Sequence, residues 1–438
     1  MILITVYSVI ALFISSIWII YFREIDVFEK ERWNHLIPMF LFGCLSIPLT
    51  IYLTELTVFP LMGLYNNSPL NRLLYFILGV GLVEELSKTI PFLLFAIFFR
   101  KKINEPLDYI IYMSVGALAF AAIENVKYFH YSSYIIDGRS ILSTVSHVYC
   151  SAIVAYGMII YKRKPTIWRL WIPFLYLLLA GVNHGVYNTI ASTQAHPTIV
   201  WAATGLYFLV NISIFSDIMN NAMNLSSHFT YRKVIDSDRI AWLLIKLYFV
   251  VFILQFLVLS YEHSIDAAIG NLSYKVFVIG FIILITAFRL SRFTLIPNYW
   301  KPVIPQLPFQ FQNVDGKPGF RVKGYPYNEK LMSTYYHEYC RVHPLKPQAS
   351  HIKTSRRGFI EKKVYLEHTH PMYYLRIYDG DITGPYTTYM VHTKITGRNR
   401  VRNRFPIVAL LAYRTDEAGN DVPDEFLEWV YLTPYNEA

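Results

Sequence analysis

Long apolar stretches dominate the first two thirds of the chain and predict membrane-spanning helices. A helix needs about 20 largely apolar residues to cross about 30 Å of hydrocarbon. Nine stretches meet or approach this length, and the last is the shortest: 2–22, 36–61, 73–99, 107–126, 142–161, 170–191, 198–219, 240–261 and 275–290. We therefore expect an α-helical multi-pass membrane bundle of about nine transmembrane helices.

The basic residues between these stretches predict the orientation. Lysine and arginine number 13 in the odd-numbered loops and four in the even-numbered loops. Cytoplasmic loops carry the excess of lysine and arginine in membrane proteins. We expect an integral protein of a bacterial-type plasma membrane, with its N-terminus outside and its C-terminus in the cytoplasm.

The pattern changes after Arg292. Prolines at 297, 302, 305 and 308 predict an extended linker, and short runs rich in tyrosine and valine follow at 363–367, 372–378, 387–392 and 407–413. Asp379-Gly380 is a hairpin signal between two of these runs. We therefore divide the chain into a polytopic membrane domain, 1–292, and a proline-rich linker with a small cytosolic, β-rich (α+β) domain, 293–438.

Composition supports the membrane assignment. Of the 438 residues, 54% are hydrophobic and 16% are charged, whereas soluble proteins carry about 25% charged residues. The aromatic content of 17% also excludes a disordered chain. Three scattered cysteines cannot form a disulfide framework. We expect the lipid bilayer to be the main partner of the protein, and we expect it not to bind nucleic acid.

Ionisable side chains inside the third apolar stretch predict a functional site. Charged residues at the middle of a membrane helix cost about 2.5 to 3.5 kcal/mol each on insertion scales. Glu84 and Glu85 lie within one helical turn of Lys88, so a single lysine can neutralise only part of the pair. The remaining carboxylate needs a proton, a metal or water. A purely structural ion pair is the alternative interpretation.

Three more helices carry polar side chains at a similar predicted depth, in the outer half of the bilayer. These residues are Glu124 and Asn125, His147, and His184 with Asn188. Carboxylates and imidazoles can activate water as general bases or through a metal, and Asn188 can stabilise an oxyanion. For His147 alone, and for Glu124 with Asn125, a structural role is also open. The set predicts a polar cavity suited to acyl hydrolysis.

Four motifs in this region resemble those of a known family. They are Glu84-Glu85-x-x-Lys88, Phe120-x-x-x-Glu124-Asn125, His147 with Gly157 ten residues on, and His184-x-x-x-Asn188. In this order, within 73–191, they look like the motifs of the PrsW intramembrane proteases, which are related to the CAAX prenyl endopeptidases.

The resemblance implies a multi-pass protease that cleaves membrane-anchored proteins. It makes Glu84, Glu85, His147 and His184 the catalytic candidates, supported by Lys88, Glu124, Asn125 and Asn188. Many PrsW-like sequences have aspartate at the place of Asn188, and the amide here favours an oxyanion role.

Several alternatives stay open from the sequence. Glu85, His147 and His184 suit a catalytic zinc ion, and they suit a metal-free glutamate mechanism equally well. A non-catalytic scaffold or receptor would use the same polar cavity for binding. A transporter would need polar residues through the full depth of the bilayer. We expect a regulatory partner for the cytosolic tail.

Overall fold

A computed structural model gives the fold. It describes residues 2–66, 68–163, 169, 171–193, 195–229, 237–291, 293, 300, 302–305, 307, 309–314, 317–322, 361–362, 373–378, 386–392, 407–415 and 421–434. The chain divides into two compact units. The first comprises Met1–His228, Ile240–Ser291 and Asn298–Lys323, and the second comprises Phe229–Arg239, Arg292–Pro297 and Gly324–Ala438.

The first unit is helical over most of its length. Its α-helices are α1 Ile2–Ile25, α2 Trp33–Cys44, α3 Ser46–Leu61, α4 Pro69–Tyr75, α5 Leu82–Phe98, α6 Pro106–Tyr131, α7 Ile136–Gly138, α8 Thr144–Arg163, α9 Trp171–Ala191, α10 Pro197–Asn224, α11 Ser237–Glu262 and α12 Ile265–Leu290. Short 3₁₀ turns lie at Met62–Leu64, Arg100–Lys102 and Ser133–Ile135. Each of the nine apolar stretches predicted from the sequence falls largely within these helices.

Among the described residues, six helical segments are long and apolar enough to cross a membrane, which supports an integral membrane protein. They are Leu3–Ile25, Trp33–Thr57, Pro106–Tyr131, Ser133–Arg163, Thr198–Asn224 and Arg239–Glu262. Helix α5 is not among them because Glu84, Glu85 and Lys88 make it more charged, and α9 is made less apolar by Asn183, His184 and Asn188. That all nine stretches cross the bilayer stays a prediction.

Helices α6 and α8 form the centre of the bundle. In their membrane segments 83% of the most apolar window is buried, compared with 22% to 44% in the other four segments. Helix α6 begins at Pro106, where the Asp108 carboxylate accepts hydrogen bonds from the backbone N–H groups of Asn104 and Glu105 at 2.9 and 2.7 Å. A carboxylate at this position satisfies donors that the first helical turn leaves free. The polar residues Ser114 and Asn125 of α6 and Ser146 and His147 of α8 therefore lie inside protein.

Two π-helical turns precede the helices that carry the candidate site. Phe76–Gly81 joins α4 to α5, and Arg139–Ser143 joins α7 to α8. A π-helical turn inserts extra backbone into a helix and is frequent at functional sites. Each turn here ends a few residues before a predicted catalytic residue, so it changes the direction in which the next helical turn presents its side chains.

Close backbone contacts hold α9 against the first of these turns. A Cβ atom on Gly185 would lie 2.7 Å from the backbone nitrogen of Ile77, and a Cβ atom on Gly81 would overlap the carbonyl oxygen of Gly181. Only glycine allows backbones to approach this closely. These three glycines therefore fix the distance between the helices that carry the glutamates and His184.

The described C-terminal residues contain seven strands. They are β1 Phe309–Val314, β2 Lys317–Val322, β3 Glu361–Lys362, β4 Tyr373–Tyr378, β5 Tyr386–His392, β6 Ile407–Thr415 and β7 Asp421–Pro434. β1 pairs with β2, and the other five form an antiparallel sheet in the order β3-β4-β5-β7-β6.

β4, β5 and β6 overlap the predicted runs 372–378, 387–392 and 407–413, and a β-rich C-terminal domain stays a prediction. β4 and β5 pair antiparallel, with Tyr378 opposite Tyr386. The run 363–367, the Asp379-Gly380 turn, Pro297 and Pro308 lie outside the described residues.

Replacing Gly81 with alanine tests the close contact between α9 and the π-helical turn. We expect Gly81→Ala to destabilise the protein by about 1 to 3 kcal/mol, the usual cost of forcing extra volume into a packed contact. Gly205→Ala is the matched control, because a Cβ atom there meets nothing within 4 Å. Thermal unfolding in detergent measures both variants, and equal unfolding temperatures would contradict the role assigned to Gly81.

Candidate active site

Glu85 is the most deeply buried acidic group of the predicted site. Its Oε1 lies 2.7 Å from Nζ of Lys88 and 3.0 Å from Nδ1 of His184. Its Oε2 accepts a hydrogen bond from the hydroxyl of Ser151 at 3.0 Å. The side chain has no exposed surface. Both oxygens are therefore satisfied, which makes Glu85 a fixed negative charge beneath the site.

Glu84 points in a different direction, although it is the neighbouring residue. Its Oε2 lies 3.6 Å from Nζ of Lys88 and 3.4 Å from Nε2 of His184. This oxygen is buried, yet it makes no hydrogen bond with any described residue. A buried carboxylate oxygen without a hydrogen bond is costly, and water commonly fills such a position. Glu84 is thus the acidic group that remains available for chemistry.

His147 is held between a cation and a carboxylate. Its Nδ1 lies 2.9 Å from Nζ of Lys88, and its Nε2 lies 2.9 Å from Oε2 of Glu124. A lysine ammonium can only donate, so Nδ1 accepts and the proton of a neutral imidazole is on Nε2. The ring also packs edge-on against the ring of His184, with the centroids 5.0 Å apart.

A polar chamber of about 730 Å³ opens beside these groups. The predicted residues on its wall are Glu84, Glu124, His147, His184 and Asn188. Aromatic side chains form much of the remaining wall, namely Tyr65, Tyr75, Phe76, Tyr128, Tyr187 and Trp201. Ligand-binding cavities are typically lined by aromatic and apolar side chains with a few convergent polar groups, and this chamber has that composition beside Glu84.

The structure brings all four predicted catalytic side chains into one connected cluster. Glu84 and Glu85 come from α5, His147 from α8 and His184 from α9. Among the supporting residues, Lys88 joins the two glutamates to His147, and Asn188 lies on the chamber wall. Asn125 is buried behind that wall, where its Nδ2 donates to Oγ1 of Thr144 at 2.8 Å.

Two further side chains, Ser151 and Arg139, contact the carboxylates of this cluster and were not among the predicted site residues. Ser151 lies one helical turn after His147 and hydrogen-bonds Glu85. Arg139 is one of the four basic residues counted in the even-numbered loops, and its Nη2 lies 2.7 Å from Oε2 of Glu124. The position of an isolated arginine just before the His147 helix was the available signal, although spacing along the chain cannot identify its partner.

Two sets of three possible metal ligands lie in the described site: Glu84 with His147 and His184, and Glu85 with Cys150 and His184. Glu84, His147 and His184 each offer a ligand atom, all within 4.8 Å of one another, and these donor types suit zinc. Glu84 replaces Glu85 in this group relative to the trio considered from the sequence. However, Lys88 and Glu124 engage both ring nitrogens of His147. The ammonium of Lys88 already lies next to Glu84 and His147. A metal bound by Glu84, His147 and His184 would therefore have to displace Lys88 or Glu124 from His147.

Comparison with known proteins supports the motif assignment. Residues 31–217 match the model of a family described as PrsW family intramembrane metalloprotease. Over 226 residues the chain is 29% identical to Protease PrsW of Clostridioides difficile (strain 630), a match that covers 50% of this chain and 91% of that protein. No solved structure matches the chain. The resemblance predicted from the four motifs is confirmed over this segment.

Removing Lys88 tests whether its ammonium neutralises the buried carboxylates. Breaking a buried ion pair by removing one partner costs about 3 to 5 kcal/mol, since the other charge is left uncompensated. We expect Lys88→Met to destabilise the protein by this amount and the double variant Glu85→Gln/Lys88→Met to regain most of the loss. Chemical unfolding in detergent gives the free energies.

The matched control is Lys127→Met, which removes an exposed lysine from α6. Equal stability of the single and double variants would contradict the assigned pairing.

Proposed function

We propose that the chain is an intramembrane endopeptidase that hydrolyses peptide bonds of membrane-anchored proteins, because residues 31–217 match the model of the PrsW family and the chain is similar to a PrsW protease. The observation that carries the proposal is the Oε2 atom of Glu84, which is buried at the chamber wall without a hydrogen bond to any described residue. A general base must lie within hydrogen-bond reach of the water that it activates. This carboxylate oxygen can accept a hydrogen bond from such a water and take its proton.

Glu84 and His184 act together on the attacking water. Oε2 of Glu84 lies 3.4 Å from Nε2 of His184, and the other nitrogen of His184 is fixed by Glu85. Glu84 takes a proton from the water as its oxygen attacks the scissile carbonyl carbon. The Glu84–His184 pair later returns a proton to the leaving amine nitrogen when the carbon–nitrogen bond breaks.

Asn188 stabilises the charge that develops during this attack. It lies one helical turn after His184 and faces the same chamber. Its side-chain amide can donate a hydrogen bond to the oxyanion of the tetrahedral intermediate, and loss of one such donor typically costs 10²- to 10³-fold in rate. His147 borders the same chamber, where its imidazole fixes the ammonium of Lys88.

Glu85 serves a different purpose from Glu84 in this mechanism. It has no contact with the chamber, and its oxygens are bonded to Lys88, His184 and Ser151. It therefore holds His184 in place and balances the charge of Lys88. Two adjacent carboxylates with different surroundings can divide the catalytic and supporting roles between them.

The membrane arrangement belongs to the same proposal. Nine membrane helices, an external N-terminus and a cytosolic, strand-rich C-terminal domain would place the chamber on the outer side and the tail on the inner side. The distribution of basic residues between the loops supports this orientation. A scaffold or receptor with the same cavity is less favoured, because binding alone does not need a base that is free of hydrogen bonds.

Glutamine at position 84 tests the assigned base. Co-expression with a panel of single-span reporter proteins, each tagged on its outer side, identifies a reporter whose tag the wild-type chain releases. Glu84→Gln is expected to reduce release of that tag by at least about 10²-fold, since general base catalysis contributes 10²- to 10⁴-fold. Glu55→Gln is the control, because Glu55 lies exposed on α3. Undiminished release by Glu84→Gln, or no release by a folded wild-type chain, would reject the proposal.

Metal analysis separates the glutamate mechanism from a metal-dependent one. Because Lys88 and Glu124 occupy the nitrogens of His147, we expect purified protein with less than about 0.1 equivalent of zinc to retain full activity, and chelators to leave that activity unchanged. Elemental analysis alongside the reporter assay measures both quantities. Loss of activity with the metal and its return on adding zinc would contradict the metal-free glutamate mechanism.

A further inference from the structure

We propose that Arg139, which lies outside the four motifs, is a positioning residue that fixes the orientation of His147 through Glu124. Oε2 of Glu124 lies 2.7 Å from Nη2 of Arg139 and 2.9 Å from Nε2 of His147. The consequence for reaction rate rests on the proposed function. The structural consequence, which is the location of the proton on His147, does not.

Arg139 is held in one place by α6 and by its own π-helical turn. Its Nε donates to Oδ1 of Asn125 at 2.9 Å, and its guanidinium lies 3.7 Å from the ring centre of Tyr128. Asn125 in turn donates to Thr144, whose hydroxyl donates to the backbone carbonyl of Arg139 at 3.1 Å. The contacts form a closed ring, so the guanidinium cannot shift without breaking several of them.

The charge on Arg139 matters because Glu124 must accept two hydrogen bonds at one oxygen. The side chains of Arg139 and Glu124 are only 16% and 20% exposed, so water provides limited stabilisation. A guanidinium at this distance stabilises a carboxylate acceptor more strongly than a neutral donor would. Arg139 therefore keeps Glu124 as an acceptor for the Nε2–H group of His147.

This acceptor determines what the other side of the imidazole can do. A neutral histidine carries one proton, so a proton on Nε2 leaves Nδ1 as an acceptor. Nδ1 then accepts from Lys88, whose Nζ is also bonded to Glu85. If the proton moved to Nδ1, it would face the ammonium, and Lys88 would lose one of its partners. Arg139 thus acts on the glutamates from a distance, through Glu124, His147 and Lys88 in turn.

A plain structural role for Arg139 predicts a different outcome. In that case the Arg139–Glu124 pair would only join α6 to the turn before α8, and its loss would lower stability without altering His147. Exposed ion pairs contribute about 0 to 1 kcal/mol to stability, and several such pairs occur elsewhere in this chain. The shared oxygen of Glu124 distinguishes Arg139 from those pairs.

Solid-state NMR of the full-length protein with ¹⁵N-labelled histidine tests the proposal directly. The difference between spectra of the wild type and of His147→Gln identifies the two nitrogens of His147. We expect a neutral ring with its proton on Nε2 in the wild type, loss of that pattern in Arg139→Gln, and its return in Arg139→Lys. Lys127→Gln removes a nearby exposed cation that has no contact with Glu124, and it should leave the pattern unchanged.

Kinetics on a cleaved reporter provide the second readout. Arg139→Gln should lower kcat by about 10²-fold, as expected when a catalytic group loses its orientation. Because Arg139 itself lines the chamber, KM is measured alongside kcat, and a change in KM with kcat unaltered would indicate a substrate contact instead of a positioning role. A wild-type proton on Nδ1, or an Arg139→Gln variant with unaltered NMR signals and kcat, would overturn the proposal. Activity that survives Glu84→Gln would instead reject the proposed function and leave the NMR result on Arg139 standing.

Discussion

The site depends on one buried ammonium. Lys88 lies within 3.6 Å of two carboxylates and an imidazole that come from two different helices, and its side chain is fully buried. In an apolar interior, two adjacent glutamates lose their hydration and repel each other. A cation held close to both carboxylates compensates for these costs. The positions of Glu84, Glu85 and His147 are therefore not independent, because each is set by its distance from the same nitrogen.

The backbone places the partners of Lys88 and the glutamates within reach through a π-helical turn and close contacts at glycines. A π-helical turn ends just before α5, and glycines on both sides allow α9 to approach that turn without intervening side chains. His184 thereby reaches both glutamates, one through each ring nitrogen. Burial of α6 and α8 at the centre of the bundle separates the charges of this cluster from lipid. The close helix contact and the buried charges are two parts of one arrangement.

Much of this could be predicted from the sequence, and the limits follow from physical range. Helical spacing identified Glu84, Glu85 and Lys88 as neighbours, since residues three or four apart share a helix face. The length of the apolar stretches predicted membrane helices, because crossing the hydrocarbon requires a minimum length, and six described segments meet that requirement. Spacing could not reveal that Ser151 supports Glu85 or that Arg139 contacts Glu124, because these contacts depend on how separate helices pack.

The sequence predicts that Lys88 leaves one of the two carboxylates unneutralised but does not identify which, and the surroundings of Glu84 and Glu85 differ in the structure. Successive residues on a helix point about 100° apart, and of the two adjacent glutamates Glu84 lines the chamber while Glu85 faces Lys88, His184 and Ser151. Glu85 is enclosed by three partners, while one oxygen of Glu84 lacks a hydrogen bond to any described residue. A structural ion pair would satisfy both carboxylates, and a binding scaffold would gain nothing from leaving one of them unsatisfied at a buried wall. The asymmetry is what a water-activating site requires, because the base must be held in place by its neighbours and still be free to take a proton.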